Sequence, residues 1–227
     1  MTRETLDKKI QGLLDDVLTL GSMVEEAILD SVRALKKRDQ ELAKKIYEGD
    51  KKINKRRYKI ERSTVTVIAT QQPMASDLRI LASIIEVAGE IERMGDYAKG
   101  IALITSRLGD EPPVKPLIDI PKMADLTADM LHRALGAFVE ADVDTALEIP
   151  SEDDQVDHLY NQVYRELLTC MMANPETIDG ATLLLWVAHN LERVADRVTN
   201  ICERTRYVAT GKLKDIDVSD DEQFLDD

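Results

Sequence analysis

An internal duplication restricts the fold of this chain more than any other feature. At a displacement of 100 residues, one short segment recurs with identical residues at Val87/Val187, Ala88/Ala188, Glu92/Glu192, Arg93/Arg193, Asp96/Asp196 and Ile101/Ile201. At a displacement of 103, a seven-residue apolar spacing occurs twice, first as Ile46, Ile53, Ile60 and Val67 and then as Ile149, Val156, Val163 and Cys170. This spacing is typical of long helices that pack along a common seam. The chain is therefore predicted to form two similar helical units.

The composition agrees with an all-α fold. Hydrophobic residues make up 44% of the 227 residues and aromatic residues only 4%, while Gly and Pro are few. Good helix formers dominate instead. We predict two tandem three-helix bundles with six long helices in total. The first bundle is expected at residues 1–109, a proline-rich linker at 110–121, the second bundle at 122–210, and an acidic, mobile tail at 211–227.

Single residues mark where the helices begin and end. Asp39 is a suitable cap for the second helix, and Ser76 or Asp77 for the third. In the second unit, Pro150 predicts that the fifth helix either kinks or begins there. Gly211 is predicted to close the sixth helix in a left-handed conformation.

Charge and targeting signals narrow the class of protein. The formal net charge is −13, which disfavours nucleic acid as a partner because phosphates would be repelled. Cys170 and Cys202 lack the spacing of a disulfide framework or a zinc–thiolate site. The first residues contain no apolar signal region, and no window approaches a membrane span. We expect a cytoplasmic protein.

Acidic pairs four residues apart are the candidate site. Residues four apart lie on one face of a helix, and here they border the apolar seam. Such acids are costly unless a proton or a cation compensates them. The duplication produces four such pairs, which are Asp50/Asn54 with Glu92/Asp96 in the first unit, and Asp153/Asp157 with Glu192/Asp196 in the second.

If the helices in each unit pack as antiparallel neighbours, each unit brings four oxygen ligands together. Such a hard, anionic site suits Mg²⁺, Mn²⁺, Ca²⁺ or iron rather than zinc alone. Carboxylates can also bridge ions, so a multinuclear cluster is feasible. Asn54 offers a neutral oxygen where the second unit has Asp157. The first site is therefore predicted to be the weaker of the two.

Two alternatives remain open at this stage. In the first, the acids only pair with Arg93 and Arg193, and the protein is a scaffold without metal. In the second, it is a carboxylate-bridged metalloenzyme. The chain lacks the Glu-x-x-His spacing of di-iron bundles, and it has no P-loop or GxGxxG. His158 is interpreted as a surface residue, and His189 lies outside the duplicated set because Gly89 matches it.

Two further signatures stand out in the sequence. Residues 73–79 read PMASDLR, and residues 91–98 read IERMGDYA. The second signature recurs at residues 191–198 as LERVADRV. These signatures resemble the PhoU family of phosphate transport regulators, and the resemblance covers both units, about residues 1–210.

This resemblance implies a fold, a cofactor and a role. It implies paired three-helix bundles in which E(D)xxxD motifs bind metal ions, with Fe, Mn, Mg and Zn as candidates. It also implies a regulator rather than an enzyme, which restrains high-affinity phosphate uptake and phosphate-starvation two-component signalling. The implied partners are the phosphate transporter ATPase subunit and the phosphate-sensing histidine kinase, met at the membrane surface. A homodimer is also implied.

Overall fold

The computed structural model describes residues 3–109 and 111–212, and these form helices with short connections. The six predicted long helices are confirmed as α1 (Arg3–Lys37), α2 (Gln40–Gln71), α3 (Ala75–Leu108), α4 (Asp119–Glu140), α6 (Asp153–Ala173) and α7 (Ile178–Thr210). A short helix, α5 (Val143–Glu148), precedes α6. The tail predicted to be mobile lies outside the described residues from position 213 onward. None of the described helices combines the length and apolar character that a bilayer crossing requires.

The duplication extends to the turns between helices. Asp39 caps α2 by accepting a hydrogen bond from the Leu42 backbone N at 2.9 Å. At a displacement of 103, Asp142 caps α5 by accepting from the backbone N of Asp144 and Thr145. Each cap follows a residue with positive φ, which is Arg38 in the first unit and Ala141 in the second. The two units therefore share one turn geometry, a residue with positive φ followed by a capping Asp. The sequence predicted the cap in the first unit only.

Pro150 accounts for the main difference between the units. In the first unit α2 is one continuous helix, whereas the matching segment consists of α5, a 3₁₀ turn (Ile149–Glu152) and α6. Proline removes a helical hydrogen bond and clashes with the preceding turn, so an α-helix cannot continue unchanged through it. Elsewhere, α3 begins at Ala75 and not at Ser76 or Asp77. Helix α4 begins at Asp119, so Pro121 lies in its first turn, where proline is tolerated.

Each unit packs as three helices, and the two units share one apolar core. Helices α1, α2 and α3 contact one another, as do α4, α6 and α7. Contacts of α3 with α7 and of α1 with α4 join the two units. The apolar stripes merge because residues from both units are fully buried in the same cluster, including Ile91, Met94, Leu191 and Val194. This burial of apolar surface is the main stabilising contribution to the arrangement.

Helices α3 and α7 run antiparallel at the centre of the molecule. Their close approach is visible at Gly100, where an added Cβ would lie 3.2 Å from Asn190 Nδ2. Nearby, the half-buried carboxylate of Glu90 accepts hydrogen bonds from Asn200 Nδ2 at 3.0 Å and from Arg197 Nη1 at 3.3 Å. Glu86, further along α3, pairs with Arg204 Nε at 2.6 Å. Polar contacts therefore fix the register of the two central helices.

Candidate metal centre

The second unit brings its four predicted acids close enough for their charges to interact. Asp153 and Asp157 project from α6, and Glu192 and Asp196 project from α7, which follows α6 after a short turn. Asp153 and Glu192 are half-buried, whereas Asp157 and Asp196 are exposed. The arrangement is an open acidic site with two carboxylates at its floor and two at its rim.

Burial and crowding perturb the proton affinities of the two inner acids. Burial raises the pKa of Asp153 to about 7, and the charges of Asp157, Asp196 and Asp154 add to that rise. Burial likewise raises the pKa of Glu192 to about 7, with further increases from Asp196, Asp157 and Asp153 and a partial reduction from Arg193. Asp196 is exposed as a residue, yet partial desolvation of its carboxyl raises its pKa, against the lowering effects of Arg193, Arg197 and His189. The site therefore favours a bound proton or another cation near neutral pH.

Two oxygens at the floor of this site lack hydrogen-bond partners in the described part of the chain. They are Asp153 Oδ1 and Glu192 Oε2, and both are buried. Nδ1 of His189 lies 3.2 Å from Glu192 Oε2, yet the two are not aligned as a hydrogen bond. A buried, unpartnered carboxylate oxygen is costly, and a cation would compensate it.

The four carboxylates are suitable ligands for a metal ion, but their side chains do not converge on a common position. Within residues 3–109 and 111–212, no three His, Cys, Asp or Glu side chains have, as placed, the geometry to hold one ion. A closed shell therefore requires side-chain rotation on α6 and α7. Asp196 is exposed, so the packing that restricts core rotamers does not restrict its side chain.

The first unit gathers the corresponding residues differently. Asp50 is only 4% exposed, and its Oδ2 accepts a hydrogen bond from Asn54 Nδ2 at 2.9 Å. The same oxygen accepts a second hydrogen bond, from Lys99 Nζ at 2.8 Å. Lys99 Nζ also lies 3.4 Å from Asp96 Oδ1, so one ammonium joins α2 to α3. Burial raises the pKa of Glu92, with a smaller contribution from the charge of Asp96.

Lys99 is a site residue that the predicted set lacks, and His189, which the prediction places outside the duplicated set, lies next to Glu192. At the displacement that matches the acids, the counterpart of Lys99 is Thr199, whose hydroxyl donates to the Asp196 backbone O at 2.7 Å. Because neither residue is duplicated, comparison of the two halves could not identify them. Their spacing of three residues from Asp96 and Glu192 was the available signal.

The two duplicated arginines have different contacts. Arg93 Nη1 donates to Glu90 at 2.5 Å. Arg193 lies over the Tyr97 ring at 5.7 Å and donates to its hydroxyl at 3.2 Å, which joins α7 to α3. The hydrogen bonds of these arginines are thus made to residues outside the Glu92/Asp96 and Glu192/Asp196 pairs, although the charge of Arg193 lowers the pKa values of Glu192 and Asp196. Identical residues in the two halves are consequently not identical in role.

A basic groove lies along α2 and next to α1. Its volume is about 900 Å³, and its lining residues are Met23, Lys51, Lys52, Asn54, Lys55, Arg56, Tyr58, Lys59 and Arg62. Helix α2 carries nine of the chain's 30 lysines and arginines, although the chain as a whole is acidic. Lys51, Lys55 and Lys59 follow one another at four-residue intervals, a spacing at which like charges repel on a helix.

Comparison with known proteins identifies a matching family. The family model described as the PhoU domain matches residues 17–105 and 120–205. The phosphate-specific transport system accessory protein PhoU homolog of Clostridium acetobutylicum is 36% identical over 217 residues, which cover 95% of this chain and 99% of that protein. The accessory protein PhoU of Escherichia coli K12 is 35% identical over 204 residues, covering 90% of this chain and 85% of that protein.

Solved structures agree with the sequence matches. The crystal structure of the phosphate transport system regulatory protein PhoU from Streptococcus pneumoniae superimposes with a TM-score of 0.85 at 33% identity, covering 92% of this chain and 99% of that one. PhoU from Pseudomonas aeruginosa gives a TM-score of 0.86 at 32% identity, covering 91% and 99% of the respective chains. The fold and the sequence therefore identify the same group of relatives.

Proposed function

Because the chain belongs to the PhoU family, we propose that it is a metal-binding regulator of phosphate transport whose metal site lies between α6 and α7. A role in regulating phosphate transport follows from relatives named as accessory proteins of the phosphate-specific transport system. The finer proposal is that the protein acts in the cytoplasm, as a homodimer. There it restrains high-affinity uptake and phosphate-starvation two-component signalling. The role is one of regulation, not of catalysis.

One observation supports the metal site most strongly. Asp153 and Glu192 each direct a buried oxygen without a hydrogen-bond partner into a site with two further acids, Asp157 and Asp196. These four residues would hold the ion. Oxygen donors of this kind favour Mg²⁺, Mn²⁺ or iron, with Zn²⁺ as a further candidate. A bound ion would offset the repulsion among the four carboxylates and tie α6 to α7.

Metal analysis of purified protein tests this assignment. We expect the wild type to retain metal, and the double variant Asp153→Asn/Glu192→Gln to lose it. Saturating metal should also stabilise the wild type by about 2.7 kcal/mol at a free concentration of about 100 times Kd.

The matched control is Asp125→Asn/Glu140→Gln, which changes the charge equally at two exposed acids of α4. It should keep both the metal and the thermal shift. Wild-type protein that contains no metal, and takes up none of the four candidate ions, would contradict the assignment.

The basic groove supports contact with an anionic protein surface, and we propose that it meets the transporter ATPase subunit or the sensor kinase. Lys51 and Lys55 line the groove and are exposed. Unrelieved like-charge neighbours cost stability on an isolated helix, and an acidic partner would relieve that repulsion.

Charge reversal tests the groove. We expect Lys51→Glu/Lys55→Glu to reduce co-purification with the ATPase subunit or the kinase at low salt, and we expect wild-type binding to weaken as salt rises. The control is Lys9→Glu/Lys36→Glu, which reverses two exposed lysines on α1. If both double variants bind each partner as the wild type does, the groove is not the contact surface.

A further inference from the structure

The two units contain matching acids but differ in one fixed cation. In the first unit, the ammonium of Lys99 is 2.8 Å from Asp50 Oδ2 and 3.4 Å from Asp96 Oδ1. Those two acids come from different helices, so the ammonium joins α2 to α3. In the second unit, Thr199 occupies the matching position and bonds to its own helix backbone.

Asp50 is the residue that most requires this cation. Its side chain is only 5% exposed, whereas the Asp96 side chain is 50% exposed. A carboxylate at that depth is strongly destabilising unless it is paired and hydrogen-bonded. Lys99 supplies the charge and Asn54 supplies a second donor, both to Oδ2, whereas Asp50 Oδ1 is buried and has no hydrogen-bond partner among the described residues.

Two contacts hold the ammonium of Lys99 in this position. Its hydrogen bond to Asp50 Oδ2 joins it to a buried carboxylate on the neighbouring helix. Its Nζ also lies 5.8 Å from the centroid of the Tyr47 ring. A cation–aromatic contact at that distance is favourable.

The formal charges of the two sites differ accordingly. Asp50, Glu92, Asp96 and Lys99 give the first site a formal charge of −2. With every carboxylate ionised, Asp153, Asp157, Glu192 and Asp196 give the second a formal charge of −4, which Arg193 partly offsets. The second site therefore attracts a multivalent cation more strongly, and the first already contains a cation that cannot diffuse away.

We propose that Lys99 acts as a tethered cation that replaces the metal in the first unit, so that the protein binds metal only in the second. This inference rests on the proposed metal site between α6 and α7. The two halves then respond differently to metal. The packing of α2 on α3 does not depend on the metal supply, whereas the packing of α6 on α7 does.

Exchanging the distinguishing residues between the two sites tests the inference. Lys99→Thr/Asn54→Asp gives the first site the residues of the second, and Thr199→Lys/Asp157→Asn makes the reverse exchange. Mn²⁺ binding is measured by equilibrium dialysis, together with the shift in melting temperature on adding Mn²⁺. Circular dichroism checks that each variant is folded.

We expect Lys99→Thr/Asn54→Asp to double the Mn²⁺ capacity of the wild type. Thr199→Lys/Asp157→Asn should bind Mn²⁺ about tenfold more weakly or not at all, and it should lose the thermal shift. Combining all four substitutions should restore one site, now in the first unit. The charge-preserving control Lys99→Arg should leave the capacity at the wild-type value.

Each other outcome has a defined meaning. If the wild type already fills both sites, so that Glu192→Gln retains half of the capacity, Lys99 does not replace a metal and the proposed function stands. If the wild type and both exchanged proteins bind no Mn²⁺, and the wild type takes up no Mg²⁺, iron or Zn²⁺ either, the metal site itself is refuted and this inference with it. If the wild type binds Mn²⁺ but folded Lys99→Thr/Asn54→Asp binds no more than the wild type, this inference alone is overturned. If Lys99→Thr/Asn54→Asp fails to fold, the reverse exchange decides, because a second site that still binds Mn²⁺ beside an introduced lysine overturns the inference.

Discussion

Replacing Asp153 with Asn and Glu192 with Gln is expected to stabilise the metal-free protein at pH 8. Both acids are half-buried, and ionising them next to Asp157 and Asp196 costs free energy that the neutral side chains avoid. Allowing for partial exposure and solvent screening, we expect a gain on the order of 2 kcal/mol in the free energy of unfolding. Urea denaturation with a chelator present measures it.

The same two groups predict how stability depends on pH. Both carboxyls titrate near pH 4 in the unfolded chain, whereas their pKa values in the folded metal-free protein are raised to about 7. Between these values the folded state binds more protons than the unfolded state, so the free energy of unfolding falls as pH rises from about 4 to about 7. The double variant should lack this fall, and Asp125→Asn/Glu140→Gln should keep it. A fall of the same size in the double variant would assign the effect to other groups.

A bound metal ion and a bound proton are therefore alternative ways to offset the negative charge of this site. The substitutions that stabilise the metal-free protein are those that remove metal binding. This opposition is common where a binding site contains groups that are unfavourable without their ligand. If these acids served only to form ion pairs with arginines, the result would differ. Neutralising an acid would then destabilise the fold or leave its stability unchanged.

Replacing Glu90 with Ala is expected to destabilise the protein by about 2 to 3 kcal/mol, because it leaves Arg197 and Asn200 without their shared acceptor. The Glu90 side chain is only 14% exposed and links α3 to α7 across the boundary between the units. Thermal and urea unfolding of the variant measure the loss. Glu90→Gln should lose less, since its amide oxygen can still accept a hydrogen bond.

Glu86→Ala is the matched control for this prediction. Glu86 also lies on α3 and pairs with α7 through Arg204, but its side chain is 49% exposed. An exposed ion pair contributes under about 1 kcal/mol, so the control should be nearly neutral. Equal effects of the two substitutions would mean that burial does not decide the strength of this interface.

The sequence predicts those parts of the site that depend on residues close together in the chain. Glu192 and Asp196 share a face of α7 because four residues span about one helical turn, and the same rule places Asp153 and Asp157 together on α6. The duplication strengthened this prediction because it presented the same spacing twice. Asn54 was correctly noted as the departure in the first unit. The compensating ammonium three residues beyond Asp96 was not, since a lysine on a charged helix normally indicates a solvated side chain.

The sequence by itself determined the all-α class, the duplicated three-helix pattern, most helix ends and the faces that carry the acids. These properties depend on contacts within a few residues and on apolar periodicity. Only the tertiary structure decided that Asp50 is buried while Asp96 is exposed, that Lys99 reaches across to Asp50, and that Arg193 lies over Tyr97. Those contacts join residues 49 and 96 positions apart. Their geometry is set by how the helices pack, which no local spacing determines.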